Sequence, residues 1–137
     1  MMLILDSLTG LPGFLLYFGL SLVFLMIFKL VYTFITPHDE WKLIKEKNTA
    51  AAVAYAGAFV GYSIAIAGAA SASIDWVDYA VWGLVALIAQ ILTFFMVRFV
   101  FMPKLIERIT NDEVPAAIVL AATSIAVGML NAASMSF

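Results

Sequence analysis

Cysteine is absent from this sequence and charge is scarce: only 12% of its 137 residues are Asp, Glu, Lys or Arg. Without cysteine there is no disulfide framework, no thiolate nucleophile, no cysteine-bound zinc and no redox dithiol. The shortage of charge excludes water as the main solvent. A soluble domain carries about 25% charged residues, whereas this chain is 65% hydrophobic. Seven basic residues in short segments, with a net charge of −2, form no nucleic-acid footprint. There is no P-loop, nucleophile elbow or GxGxxG fingerprint, and no carboxylate pair at membrane depth. The sequence therefore reads as a non-enzyme with no cofactor.

What is there is long apolar sequence. A membrane-spanning helix needs about 20 such residues to cross a hydrocarbon core of about 30 Å. Four stretches qualify, at about 14–35, 50–70, 79–102 and 114–135. The expected fold is an all-α membrane protein with one four-helix transmembrane domain over residues 1–137. A cleaved signal peptide would need a basic start, but the segment before the first span carries only Asp6, so that span reads as a retained helix.

Lysine and arginine set the expected orientation. Lys42, Lys45 and Lys47 fall in the loop 37–48, and Lys104 and Arg108 in the loop 103–113. Lys29 and Arg98 lie in the halves of spans one and three that lead into those loops. The loop holding Asp75 and Asp78 has no basic residue. Both charged loops are thus expected in the cytoplasm and both termini in the periplasm of a bacterial inner membrane. So one-sided a bias also argues against dual-topology insertion, so a homo-oligomer, with a dimer favoured, should be parallel.

The two halves, about 13–72 and 79–137, follow one plan: a bulky span, a proline, a charged segment, then an Ala/Gly/Ser-rich span. Lys42-Leu43-Ile44 after Pro37 answers to Lys104-Leu105-Ile106 after Pro103. This reads as a duplicated helical hairpin forming a parallel repeat about an axis normal to the membrane. Span two carries Ala54, Gly57, Ala58, Gly61, Ala65 and Gly68 at helical spacing, and span four carries Ala117, Ala121, Ser124, Gly128 and Asn131. Such small-residue faces let helices approach closely in lipid. They belong at the bundle centre or at an oligomer interface, with the Leu/Phe-rich spans one and three outside.

Polar residues at membrane depth are the candidate functional positions. In span one Tyr17, Ser21, Lys29, Thr33 and Thr36 recur at near-helical spacing. Lys29 either snorkels and hydrogen-bonds or lines a polar path. Gln90 and Asn131 read first as interhelical hydrogen-bonding groups. Alternatively Lys29, Gln90, Tyr55 and Tyr62 form a small polar cavity. Arg98, Trp41 and Lys104 are read as lipid-headgroup anchors, their segments lying on anionic lipid or serving as solvated connectors. Glu46, Asp112 and Glu113 read as solvated loop charges. His38-Asp39-Glu40 offers metal-ligand types, but sequence neighbours seldom converge on one ion, so no metal site is expected.

Several stretches together bear a family likeness. These are Thr36-Pro37 with Glu40, Leu43-Ile44 leading to Asn48 and Ala50-Ala51-Ala52, Trp82 with Gln90, and the ending Gly128-Met129-Leu130-Asn131-Ala132-Ala133-Ser134-Met135. In order and spacing the chain resembles the YjfL-like family of bacterial inner-membrane proteins, a domain of unknown function. The resemblance implies a four-span inner-membrane protein built from a doubled two-helix unit, and supplies no catalytic residues. Lys47 departs from the pattern, which has glycine before Asn48, and this puts a glycine-dependent turn in question. Two functions compete: a small oligomeric channel or transporter with spans two and four lining a path, and a non-transporting scaffold subunit of an envelope complex. A wide lumen is excluded within four helices, so a pore requires oligomerisation or a very small permeant.

Overall fold

The computed structural model describes residues 2–36 and 40–135, with backbone alone for residues 2, 40 and 41. His38 and Asp39, and the side chains of Glu40 and Trp41, lie outside the described residues, and with them the headgroup role read for Trp41. A short helix α1 (Met2–Leu8) precedes α2 (Leu11–Ile35); then come α3 (Glu40–Lys45), α4 (Thr49–Ala72), α5 (Trp76–Met96), α6 (Leu105–Thr110) and α7 (Val114–Ser134). A π turn, Val97–Phe101, ends α5. Among the described residues four helices are long and apolar enough to cross a membrane, and no strand occurs. The chain is an all-helical membrane protein. The first apolar stretch extends further toward the amino terminus than expected, because Leu3, Ile4, Leu5 and Leu8 carry helix into the segment before the span.

Local chemistry sets the ends of these helices. Pro12 and Pro115 stand in the first turns of α2 and α7, where a missing N–H costs nothing. Thr36 turns extended ahead of Pro37, which disfavours helical backbone in the residue before it. Asp75 caps α5 by accepting from the Asp78 N–H at 2.9 Å, and the Asp78 carboxylate accepts from the Ile74 N–H at 3.0 Å. At the other end of α5 the Met102 N–H donates to the Val97 carbonyl at 2.7 Å, closing the π turn before Pro103.

The core sits where α4 meets α7. A Cβ on Gly57 would overlap Ala121, one on Gly61 the Ser124 carbonyl, one on Gly128 the Gly61 carbonyl, and one on Gly68 Ala132. These pairs rise together along both helices, so α4 and α7 run parallel. The small-residue stripes thus meet within one chain, at the bundle centre, which decides between the two places expected for them. Only hydrogen fits at Gly61 and Gly128, and the backbones touch there. In lipid, where burying apolar groups between helices gains nothing from water, such proximity supplies dispersion contacts instead. α5 returns antiparallel to α4, burying Tyr79, Gly83, Ala86, Leu87, Gln90, Thr93 and Phe94. α2 is outermost of the four, and within it only Phe24, Phe28 and Tyr32 are buried.

Candidate functional site

Two elbows, α3 into α4 and α6 into α7, close the same end of the bundle. In the first, the N–H groups of Glu46, Lys47 and Asn48 donate to the carbonyls of Lys42, Ile44 and Leu43. In the second, the N–H groups of Asn111, Asp112 and Glu113 donate to Glu107, Ile109 and Arg108 with identical spacing. Both turn on a left-handed residue, Lys47 at φ 66° and Asp112 at φ 59°. The turn that glycine would favour is therefore made with lysine. The backbone register sets Lys42 against Glu107, whereas the sequence match Lys42-Leu43-Ile44 sets it against Lys104.

The elbows also bond to each other. The Asn48 side-chain Oδ1 accepts from the Ala51 N–H at 2.8 Å, capping α4, while its Nδ2 donates to the Ile109 and Thr110 carbonyls at 3.1 and 3.2 Å. One buried side chain thus serves the start of one helix and the end of another. The Asp112 carboxylate accepts from the Ala50 N–H at 2.8 Å. Asp112 is exposed, as read for a solvated loop charge, and has a second role: the first turn of α4 has N–H donors without a helical partner, and its carboxylate stands within reach of one. Asn48 just before Thr49-Ala50-Ala51 was the available signal, since it matches an N-cap before a helical run.

Between α2 and its neighbours the contacts are aromatic. Phe28 stacks on Tyr62 with centroids 4.9 Å apart; Tyr32 meets Tyr55 and Phe94 edge-on at 5.6 and 5.7 Å; Tyr17 stacks on Tyr79 at 5.5 Å. Ser21 and Tyr79 share a hydroxyl hydrogen bond, and the Tyr62 hydroxyl donates to the Gly83 carbonyl at 3.0 Å. Tyr79, one of the most buried side chains in the bundle, was not singled out by its sequence position at the start of a span.

The candidate site is the groove on this seam. A cavity of about 400 Å³ is lined by Leu22, Leu25, Met26 and Lys29 of α2 and by Tyr55 and Phe59 of α4. Lys29 is half-buried there. The expected cluster is brought together only in part: Lys29 and Tyr55 share the groove, whereas Tyr62 and Gln90 do not line it. Gln90 is 4% exposed and neither amide atom has a hydrogen-bond partner, so the interhelical bond expected of it is not made. It shares the buried face of α5 with Gly83, Ala86, Leu87 and Thr93, and the Thr93 hydroxyl donates to the Ala89 carbonyl instead. Asn131 is half-buried and lines a second, apolar groove of about 380 Å³ with Trp82, Val85, Ala89, Val127, Leu130 and others between α5 and α7. Arg98 places its guanidinium 4.9 Å from the centre of the Phe99 ring, a cation–π contact within the π turn. Lys104 is exposed at the start of α6. No group of three or more His, Cys, Asp or Glu side chains able to hold a metal occurs among the described residues.

The family profile described as Domain of Unknown Function (DUF350) matches residues 6–135. The chain belongs to this family. It is 41% identical over 134 residues to the UPF0719 inner membrane protein YjfL of Escherichia coli strain K12, covering 98% of each chain. The protein of the same description from Escherichia coli O157:H7 matches to the same extent. No solved structure matches. With four membrane-length helices and relatives of this description, the chain is a multi-pass inner-membrane protein.

Proposed function

We propose that this protein is a subunit of a small oligomeric channel or transporter for ions or small solutes, with its path along the α2/α4 groove. The observation that carries this reading is Lys29, a cation about 9 Å inside the end of α2 by helical rise, sharing a cavity with Tyr55. A charge at such a position is costly in lipid unless protein or water receives it. The path along spans two and four anticipated from their small residues is relocated, because those faces close on each other within the chain. A groove open at the side becomes a lumen when a second copy covers it, so the working unit is a parallel homo-oligomer, with a dimer the simplest case. The basic elbows face the cytoplasm and both termini the periplasm, as the one-sided lysines and arginines favour. The matching backbone of the two elbows supports descent from a doubled hairpin.

Proteoliposome flux tests the reading. Wild type should conduct one class of common ions or polyamines above empty vesicles, and Lys29→Ala should change that flux about tenfold, a barrier change of about 1.4 kcal/mol. Flux equal to empty vesicles for all of them contradicts it. Alkaline phosphatase fused at Asp75 should be active and at Pro103 inactive; the reverse overturns the orientation.

The second reading, a scaffold subunit of an envelope complex, is favoured by the cross-bonded elbows, which form a rigid polar platform at one end of the bundle. It predicts a stoichiometric partner on purification from native membranes, lost when the exposed elbow charges Lys45 and Glu46 are neutralised.

A further inference from the structure

Beneath the π turn lies a cavity of about 290 Å³ lined by Phe101, Met102, Pro103, Lys104 and Arg108. Two features of the sequence make it. The π turn inserts an extra residue into the last turn of α5, and Pro103 then stops the helix, so the chain swings out before α6 begins. Lys104 and Arg108 follow at a spacing of four, which puts both on one side of α6. Both are exposed, and among the described residues neither makes an ion pair or a side-chain hydrogen bond. Glu107, on the same short helix, and Glu113, beyond it, do not line the cavity.

The surroundings are as telling as the cations. Phe99, Val100 and Phe101 are exposed at 62%, 68% and 54%, a run of large apolar side chains at the end of a membrane-spanning helix. Such a run is stable only in contact with acyl chains or another apolar surface. The cavity therefore opens where a hydrocarbon-facing surface passes into a doubly cationic one within a few residues. A soluble anion would be complemented by the cations alone; an anionic amphiphile is complemented by both.

We propose that this cavity is a binding site for an anionic phospholipid, its phosphate between Lys104 and Arg108 and its acyl chains along Phe101 and the exposed flank of the π turn. Arginine suits the phosphate oxygens because its planar fork can donate two parallel hydrogen bonds, while lysine adds a point charge. Arg98, held over Phe99 within the π turn, adds a third positive charge at this end of α5. This assignment is independent of transport and of which leaflet the elbows face.

The test is lipid binding by the full-length protein. Purified, delipidated wild type in neutral detergent is titrated with fluorescent phosphatidylglycerol and, separately, with phosphatidylcholine of the same chain length. Wild type should bind phosphatidylglycerol saturably at least about tenfold more tightly than phosphatidylcholine, as expected for two basic contacts. Lys104→Gln with Arg108→Gln should remove that preference, while Lys42→Gln with Lys45→Gln, which takes the same charge from the other elbow, should keep it within about twofold. A wild-type melting temperature in both doubles shows that each is folded; should the first double unfold, either single substitution carries the test with about a threefold loss. Inorganic phosphate at millimolar concentration should not displace the lipid. Equal loss in the two double variants overturns the proposal in favour of a diffuse basic surface. No preference in wild type overturns it outright, and displacement by phosphate reassigns the cavity to a soluble anion.

Discussion

The seam between α4 and α7 and the seam between α2 and the rest of the bundle are built on opposite principles. Along the first, Gly57, Gly61, Gly68 and Gly128 let two parallel backbones touch, and no volume is left for a side chain. Along the second, Phe28, Tyr32 and Tyr17 reach across to rings on α4 and α5, and on the same seam a groove of about 400 Å³ stays open between Lys29 and Tyr55. Close backbone packing is all-or-none: a methyl group either fits or does not. Ring packing is adjustable, because a ring can swing. The tight seam is therefore the rigid frame of the protein, and the aromatic seam is where a polar path or a moving part can be accommodated.

Substitutions that exploit this contrast differ in size. Gly61→Leu or Gly128→Leu drives a side chain into backbone and should cost about 3 kcal/mol, the upper end for overpacking, seen as loss of the folded bundle in a thermal melt. Gly83 tests the aromatic side of the comparison. The nearest atoms to a Cβ there belong to the ring of Phe24, a side chain and not backbone, so Gly83→Ala should cost about 1 kcal/mol. Gly19, with open space around it, should accept alanine without loss. If Gly83→Ala proves as damaging as Gly61→Leu, the distinction between a rigid and an adjustable seam fails.

The elbows, alike in backbone, should separate on mutation. Asn48→Ala removes a helix cap and two further hydrogen bonds, for a loss of about 2 kcal/mol. Lys47→Gly relieves a left-handed residue whose side chain makes no elbow bond, and should stabilise by about 0.5 kcal/mol. Asp112→Gly relieves the same backbone but breaks the bond to the Ala50 N–H, so the gain should vanish or reverse. Equal stabilisation by both glycines would show that the Asp112 bond contributes nothing. Gln90→Leu should raise stability by about 1 kcal/mol, because it replaces a buried amide with no partner by an apolar side chain of similar size.

The helices were legible in the sequence because lipid imposes a length and a composition that few other structures share. The α4/α7 contact was legible for a related reason: in lipid, Gly and Ala repeated at helical spacing have few uses apart from close approach. What could not be read was register. Nothing in Lys42-Leu43-Ile44 says that Lys42 is the equivalent of Glu107 and not of Lys104, because the elbow is fixed by backbone bonds that many sequences allow. The elbow bonds themselves were half legible. Asn48 announces a cap, but its reach to Ile109 and Thr110 depends on how the two hairpins dock. Lys29 and Tyr55 share a groove while Gln90 stands elsewhere, for the same reason: helical spacing gives the face of each helix and not which faces meet.

The central functional claim is that the Lys29 groove admits water and solutes. Because the chain has no cysteine, a single cysteine reports on its own surroundings. Lys29→Cys and Met26→Cys, both in the groove, can be compared in native membranes with Leu30→Cys, which is exposed outside it, using a charged, membrane-impermeant thiol reagent. The two groove positions should be modified and position 30 should not. Labelling at position 29 no faster than at position 30 would place the groove in lipid and contradict the claim.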